Sequence, residues 1–244
     1  MQEALESGAS IDKVLIKAGL KHGLYSTFFD AVRKYEIPYQ FVPQAKLNSI
    51  TRKNHQGVIA LMAPVAFQRI EDIIPGIFEK GEVPFIVLLD QLTDVRNFGA
   101  IVRTAECAGV HAIVISAKHF ARIGPDAAKT SAGALYKIPL CRVSSLAALV
   151  DFLQKSGIHV VAVTEKASGT YVDQDYRVPT ALVMGSEDKG ISAPLMKTLD
   201  QAVNIPLHGD VASLNVSVAA GIMMYEVVRQ RDLSVNGGSQ SSGD

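Results

Sequence analysis

From Pro84 onward, short runs of consecutive apolar residues alternate with longer segments whose apolar positions recur every three to four residues. The first pattern predicts buried strands, the second amphipathic helices. Strands are expected at Phe85–Leu89, Ala112–Ile115, Ile158–Val163, Ala181–Met184 and Ala202–Ile205. Helices are expected at Ala100–Ala108, Pro125–Ser131, Ser144–Gln154, Ala193–Thr198 and from about Asn215 to Gln230. Apolar strands separated by helices predict an α/β fold, a parallel sheet with helices on both faces. The front of the chain reads as a smaller α/β unit: strand Ile11–Ile16, helix Leu24–Tyr35, strand Tyr39–Val42 before Pro43, and strand Gly57–Met62. Between the two lies a connecting segment with Pro75, Gly76 and Gly81 and a short helical stretch of Ile70, Ile73, Ile74 and Phe78. The expected organisation is therefore a domain over 1–66, a linker over 67–82, a larger domain over 83–233 and a disordered Gly/Ser-rich tail over 234–244.

Composition narrows the function. The 244 residues are 48% hydrophobic, enough for one medium and one small core. A formal net charge of zero excludes a general pull toward polyanions, so such a partner must be held by local patches. The front is the basic part: residues 1–66 carry 8 Lys+Arg against 5 Asp+Glu, residues 67–244 carry 16 against 19. Two distant cysteines, Cys107 and Cys141, give neither a disulfide framework nor a thiolate metal site, which fits a reducing compartment. With no signal peptide and no apolar run of membrane length, a cytoplasmic location without membrane contact is expected. His55, His119 and His208 have no second ligand at usable spacing, so no metal is expected.

Candidate chemistry sits at three turns. In FIVLLDQLTDVRNFGAIVRTAECAGV (Phe85–Val110) a strand ends at Asp90, a polar loop holds Asn97, Gly99 allows a tight turn, and Arg103 follows on a helix. Asn97 and Arg103, six apart, could face one cleft. In LVMGSEDKGIS (Leu182–Ser192) a strand leads into a loop with Gly185, Glu187 and Gly190. The loop lacks Walker or GxGxxG spacing, which sets aside a nucleotide triphosphate site and a Rossmann-type hydrolase. In IPLHGDVASLNVSVAAGIMMYE (Ile205–Glu226) Ser213, Leu214 and Asn215 mark the entry to the last helix, where Ser213 or Asn215 can cap it. In the front part, the basic run Thr51–Gln56, with Arg52, Lys53 and His55, suits phosphate contact.

In this order, the three segments resemble the signature motifs of the SpoU, or TrmH-like, family of RNA ribose 2′-O-methyltransferases. The resemblance spans Pro84 to about Arg231, and SLNVSVAAG at Ser213–Gly221 is its most specific part. Asp188 stands where the family often has glycine. The front, with NHQGVIAL at Asn54–Leu61, is similar to the domain related to ribosomal protein L30e that precedes the catalytic domain in the bacterial 23S rRNA guanosine branch. EALESG at Glu3–Gly8 is similar to a point a little inside that domain.

The resemblance implies a deep C-terminal trefoil knot of the SPOUT type, S-adenosyl-L-methionine as methyl donor, an RNA substrate and a homodimer formed through the catalytic domain. It implies that Gly185, Ile205 and Leu214 line the adenosine pocket. It nominates Arg103 for activating the 2′-hydroxyl, Asn97 for orienting ribose or Arg103, Glu187 for holding Asn97 or substrate, and Ser213 and Asn215 for fixing phosphate and loop. A guanidinium almost never gives up its proton, so stabilisation of the developing alkoxide suits Arg103 better than a role as base. Lys129, with Lys118, Arg122, Lys166 and Lys189, is a candidate RNA path beside Arg52, Lys53 and His55. The expected target is a guanosine of 23S rRNA. A transfer RNA target and a noncatalytic RNA-binding protein of the same fold are the alternatives.

Overall fold

β1 (Ile11–Lys17) can bury both of its faces, and it is the middle strand of a three-stranded sheet. The computed structural model describes residues 11–20, 26–34, 37–118 and 120–237; Glu3–Gly8, His119 and Leu24, Tyr25 and Tyr35 of the expected first helix lie outside them. β2 (Tyr39–Val42) pairs with β1 in parallel, Val14 opposite Tyr39 and Ile16 opposite Phe41, and β3 (Val58–Met62) pairs on the other side, antiparallel. α1 (Ser26–Lys34) closes one face, packing Phe29 and Val32 on Val14 and Ile16. α2 (Gln44–Ile50) closes the other with Leu47 against Leu15 and Val42. Leu47 is the one residue α2 buries, so the segment lacks the apolar repeat from which a helix is read.

The chain divides into two units. The first runs to Ala66 and includes Arg122–Pro125; the second takes Phe67–Ala121 and Asp126 onward. The second is built on eight strands, β4 (Phe67–Gln68), β5 (Phe85–Leu89), β6 (Ala112–Ser116), β7 (Leu140–Val143), β8 (His159–Val163), β9 (Gly169–Thr170), β10 (Thr180–Met184) and β11 (Gln201–Asn204). Their order is β4-β7-β6-β5-β10-β8-β11-β9 and every pairing is parallel. β4, β7 and β9, of two to four residues, are too short to show as apolar runs. β4 and α3 (Ile70–Glu79) come from the segment read as a linker, and Ile70 and Ile74 enter the core beside Ile86, Leu88, Val114 and Val183.

Alternate residues of the central strands face opposite layers, and both are apolar. α3 and α6 (Leu146–Lys155) cover one face with Leu146, Leu149, Val150 and Leu153. After the short α7 (Ala193–Met196), α8 (Val216–Gly237) lies on β10 on the other side of the sheet and packs against α4 (Val95–Cys107). α4 begins at Val95, five residues before the expected Ala100, because Asp94 caps it by accepting from the Arg96 N–H at 2.6 Å. Gly99 therefore lies inside a helix, not at a turn. A Cβ there would stand 2.0 Å from Thr130 Oγ1 of α5 (Pro125–Thr130), so the glycine lets the two helices touch. α8 continues to Gly237, past the expected end and into the segment expected to be disordered; residues 238–244 lie outside the described chain.

Candidate active site

β5, β6 and β7 step one way across the sheet, while β10, β8 and β11 lie on the other side of β5. Such a switch in an open parallel sheet leaves a crevice beyond the carboxyl ends of the strands. A cleft of about 270 Å³ opens there, bounded by the ends of β8, β10 and β11 and the start of α8. Gly185, Ile205 and Leu214, the three residues proposed for the adenosine pocket, all line it, together with Glu187 and Ser213. Ile205 is one residue past β11, not within it.

The loop after β10 is tightly closed. Ser186 and Gly190 exchange two backbone hydrogen bonds of 3.1 and 2.8 Å, and Gly190 takes the left-handed conformation at φ +65°. Gly185 has no room for a side chain, since a Cβ would stand 2.1 Å from the carbonyl carbon of Gly190. Asp188 is not among the residues with positive φ, so the turn closes without a glycine there. Asp90, buried at the end of β5, accepts from the Ser192 N–H at 2.7 Å and ties this loop to the neighbouring strand.

Asn215 caps α8: its Oδ1 accepts from the Ser217 N–H at 2.9 Å and from the Ser217 hydroxyl at 2.6 Å. Its Nδ2 donates to Asn97 Oδ1 at 3.1 Å and also to Glu187 Oε1. The Val216 N–H reaches the same Glu187 oxygen at 3.4 Å, which puts a carboxylate at the positive end of the helix. Three residues from three separate segments thus form one chain of hydrogen bonds, Glu187 to Asn215 to Asn97. Glu187 holds Asn97 through Asn215, not directly. Asn97 is buried on the first turn of α4 and keeps its amide donor without a partner among the described residues.

Arg103 is further along α4, about 9 Å by helical rise and on a different side of it. It is exposed and makes no hydrogen bond or ion pair among the described residues. Ser213 is exposed on the cleft wall and does not cap the helix. Thr164, Glu165 and Lys166 also line the cleft; of these only Lys166 was expected at a ligand, as part of the RNA path and not of the cofactor cleft. Their signal was present, because polar residues directly after an apolar strand of a parallel sheet occupy the ligand end.

In the first unit, Arg52 and Lys53 are exposed between α2 and β3. His55 is engaged on both sides of its ring. Nδ1 accepts from the Gly57 N–H at 3.0 Å, so Nε2 carries the proton toward Asn48 Oδ1 at 2.9 Å. It braces a turn in which Gln56 and Gly57 both take positive φ. Lys129 is exposed on α5 of the second unit. Among the described residues no group of three His, Cys, Asp or Glu could hold a metal, and no helix is long and apolar enough to cross a membrane.

A capped helix, a closed glycine loop and three strand ends around one cleft define an α/β protein with a ligand site at the switch point of its sheet. The chain belongs to the SpoU rRNA Methylase family, whose model matches residues 84–225. A second model, for RNA 2'-O ribose methyltransferase substrate binding, matches residues 1–68. The chain is 36% identical over 94% of its length, and 92% of the relative's, to YacO of Bacillus subtilis (strain 168), which is assigned to the TrmH family of tRNA/rRNA methyltransferases. Among solved structures it resembles the SpoU methyltransferase AviRb of Streptomyces viridochromogenes in complex with AdoMet, at 25% identity and a TM-score of 0.62, covering 95% of this chain and 87% of that one. The TrmH/SpoU tRNA modifying enzyme of A. aeolicus is 30% identical, with a TM-score of 0.59, over 67% of this chain and 83% of its own.

Proposed function

We propose that this protein transfers a methyl group from S-adenosyl-L-methionine to a ribose 2′-hydroxyl of RNA, the target being a guanosine of 23S rRNA. The observation that carries this is the meeting of Gly185, Ile205 and Leu214 on one cleft whose rim, through Glu187, is bonded to Asn215 and Asn97. The cleft fits the cofactor: Ile205, Leu207 and Leu214 offer apolar walls to a purine, and Thr164 and Glu165 offer polar groups to hydroxyls. When bound, the cofactor supplies an electrophilic methyl on a sulfonium. The protein's part is positioning, which can contribute ~7–11 kcal/mol of barrier lowering. Asn97, held by Asn215, presents its free amide donor to the ribose. Arg103, on a different side of α4 from Asn97, stabilises the alkoxide of the ribose held by a second copy of the chain as the hydroxyl proton passes to a phosphate oxygen or water, and Ser213 steadies the phosphate.

In the same proposal, residues 1–66 recruit RNA as an L30e-like domain, with Arg52 and Lys53 meeting phosphates and His55 shaping the loop, and Lys129 meets phosphate on the catalytic domain. The domain over 83–233 carries a deep trefoil knot and acts as a homodimer in the cytoplasm. Val218, Ile222 and Tyr225, spaced to form one stripe on α8 with Val218 and Tyr225 about half exposed, support a second copy packing there. A transfer RNA target is the second reading, favoured by the likeness of 67% of the chain to a tRNA modifying enzyme.

The test is transfer of labelled methyl from S-adenosylmethionine to purified, unmodified total RNA, with product mapped by its block to alkaline cleavage. Label in 23S rRNA that falls ~100-fold or more in Arg103→Ala is expected. Label confined to transfer RNA moves the target to the second reading. Cofactor binding without transfer to any RNA leaves a binding protein.

A further inference from the structure

The sheet face that α1 covers ends at β2 in two exposed aromatic rings. Tyr39 and Phe41 are two residues apart on the edge strand, so they share a face, and they are 43% and 46% exposed. Their ring centroids are 5.9 Å apart at 87°, and both lean on the buried Phe29, 6.1 and 6.4 Å away. Edge strands ordinarily carry polar residues toward solvent, so two large rings here are not what folding alone selects. Pro38 and Pro43 bracket the strand and remove backbone donors at its ends, which makes the edge a poor template for a further strand. What the edge offers is ring surface. Arg33 follows Phe29 by one turn of α1 and so lies on the same side of the helix. It is exposed and takes no hydrogen bond or ion pair among the described residues.

We propose that Tyr39 and Phe41, with Arg33 beside them, form a stacking platform for unpaired nucleotides of the RNA substrate. The rings take bases and the guanidinium takes an adjoining phosphate. Aromatic faces stack on any base, and a neighbouring cation holds the backbone, which is how single-stranded nucleic acid is bound without sequence readout. The inference rests on the reading of the chain as an RNA methyltransferase and adds that the part of the target held by the first unit is single-stranded. RNA is the favoured occupant because ring surface and an exposed cation lie together on the unit whose sequence is net basic. That unit also matches a model for RNA substrate binding. The platform is separate from the basic loop at Arg52 and Lys53.

The chain has no tryptophan, so Phe41→Trp in the full-length protein gives a single indole reporter. Titration with a single-stranded RNA oligonucleotide should quench its emission to saturation, and a blunt duplex of the same length should need ~10-fold more RNA. Tyr39→Leu/Phe41→Leu keeps apolar bulk and removes the π-faces; its KM for RNA should rise ~10-fold with kcat and cofactor affinity unchanged. Arg33→Ala, a surface change, should lower the dependence of RNA binding on salt by about one counterion. An unchanged KM in a double variant with native circular dichroism, when wild type methylates RNA, overturns the platform. So does equal quenching by strand and duplex, or an emission shift with protein concentration alone, which would mark the face as a contact between copies. If wild type methylates no RNA, the underlying reading fails, and the quenching titration alone decides the platform.

Discussion

The two ends of α8 are both built from polar side chains that reach distant segments, yet they do different work. At the N-terminal end, Asn215 bonds Glu187 and Asn97 at the edge of an open cleft, and each partner is itself a group able to meet a ligand. Toward the C-terminal end the distant partners are backbone. Arg231 donates to the carbonyls of Tyr176, Val83, Pro84 and Val178 at 2.9–3.1 Å, and Gln230 bonds both the Gln174 carbonyl and the Tyr176 N–H at 2.9 Å. Burial lowers the Arg231 pKa to about 10, still far above neutrality, so the guanidinium stays charged and its donors saturate the carbonyls. One helix thus carries a site at one end and an anchor at the other. Mutations at the two ends should separate activity from stability.

The largest effect on stability should come from Arg231→Ala, which takes a donor from four carbonyls at the base of β5 and β10 and leaves those of Val83 and Tyr176 with no other partner among the described residues, while Thr180 still bonds Pro84 and Val178. A loss of ~3 kcal/mol is expected, lowering Tm by about 6–12 °C. Cys141 is a built-in reporter. Its thiol is buried in the sheet core, and burial, aided by the nearby Glu71 charge, pushes its pKa up to about 12, so it reacts only when the core opens. Labelling of Cys141 by a maleimide should be ~100-fold faster in Arg231→Ala, while exposed Cys107 labels equally in both. Unchanged Cys141 labelling would show that Arg231 does not anchor the fold.

Asn215→Ala should do the reverse. Loss of the cap costs ~1 kcal/mol, a fall of about 2–4 °C in Tm, but it frees Asn97 and Glu187. Methyl transfer should fall at least 10-fold more than the stability loss explains, measured well below Tm. Equal losses of activity in Asn215→Ala and Arg231→Ala at that temperature would erase the distinction between the ends. Glu187→Gln sharpens it. The amide still accepts from Asn215 and Val216 but removes the charge at the helix N-terminus, so a Tm change of no more than about 2–4 °C is expected, from ~0.3–1 kcal/mol.

The same contrast explains what could be read in the sequence. The site end lies in loops whose residue types are unusual for their positions: glycine where no Cβ fits at 185, and Asn215 at the junction of loop and apolar helix. Resemblance to a family added a link from Glu187 to Asn97 but placed Asn215 with phosphate and loop; that Asn215 is what joins the two was not legible, because the three are 28 to 118 residues apart and share no periodicity. The anchor was invisible. An arginine near the end of a helix reads as a surface charge, and nothing local to Arg231 points to carbonyls 53 to 148 residues away. β5, β6, β8 and β10 were legible because each holds a run of at least four apolar residues; β11, with only Ala202 and Val203 apolar, was read from the longer stretch that ends at Ile205. β4, β7 and β9 were not, since a strand of two to four residues is fixed by its neighbours and not by its own pattern. Gly99 was recognised as significant for the wrong reason: its conformation is ordinary and its neighbour Thr130 is what excludes a side chain.

The smallest expected effect concerns acid. Glu226, one turn before Gln230, is buried and accepts from the Arg229 guanidinium at 2.7 and 2.8 Å and from Gln230 at 2.7 Å. The Arg229 hydrogen bonds lead in holding its carboxyl below the usual range, against the opposing pull of burial. Its folded pKa is therefore lower than its unfolded one, so the stabilisation is complete above the ordinary carboxylate range and fades as pH falls through the folded value. Asp175, lowered to about 2 chiefly by its hydrogen bonds from Arg177, acts in the same direction. That pair is about half exposed and contributes little. Wild-type Tm should thus decline between pH 5 and 2. Glu226→Gln should remove ~1 kcal/mol of that decline and Asp175→Asn less. If Glu226→Gln leaves the slope unchanged, the carboxylate is not part of the anchor, and Arg231 with Gln230 holds that end of the helix alone.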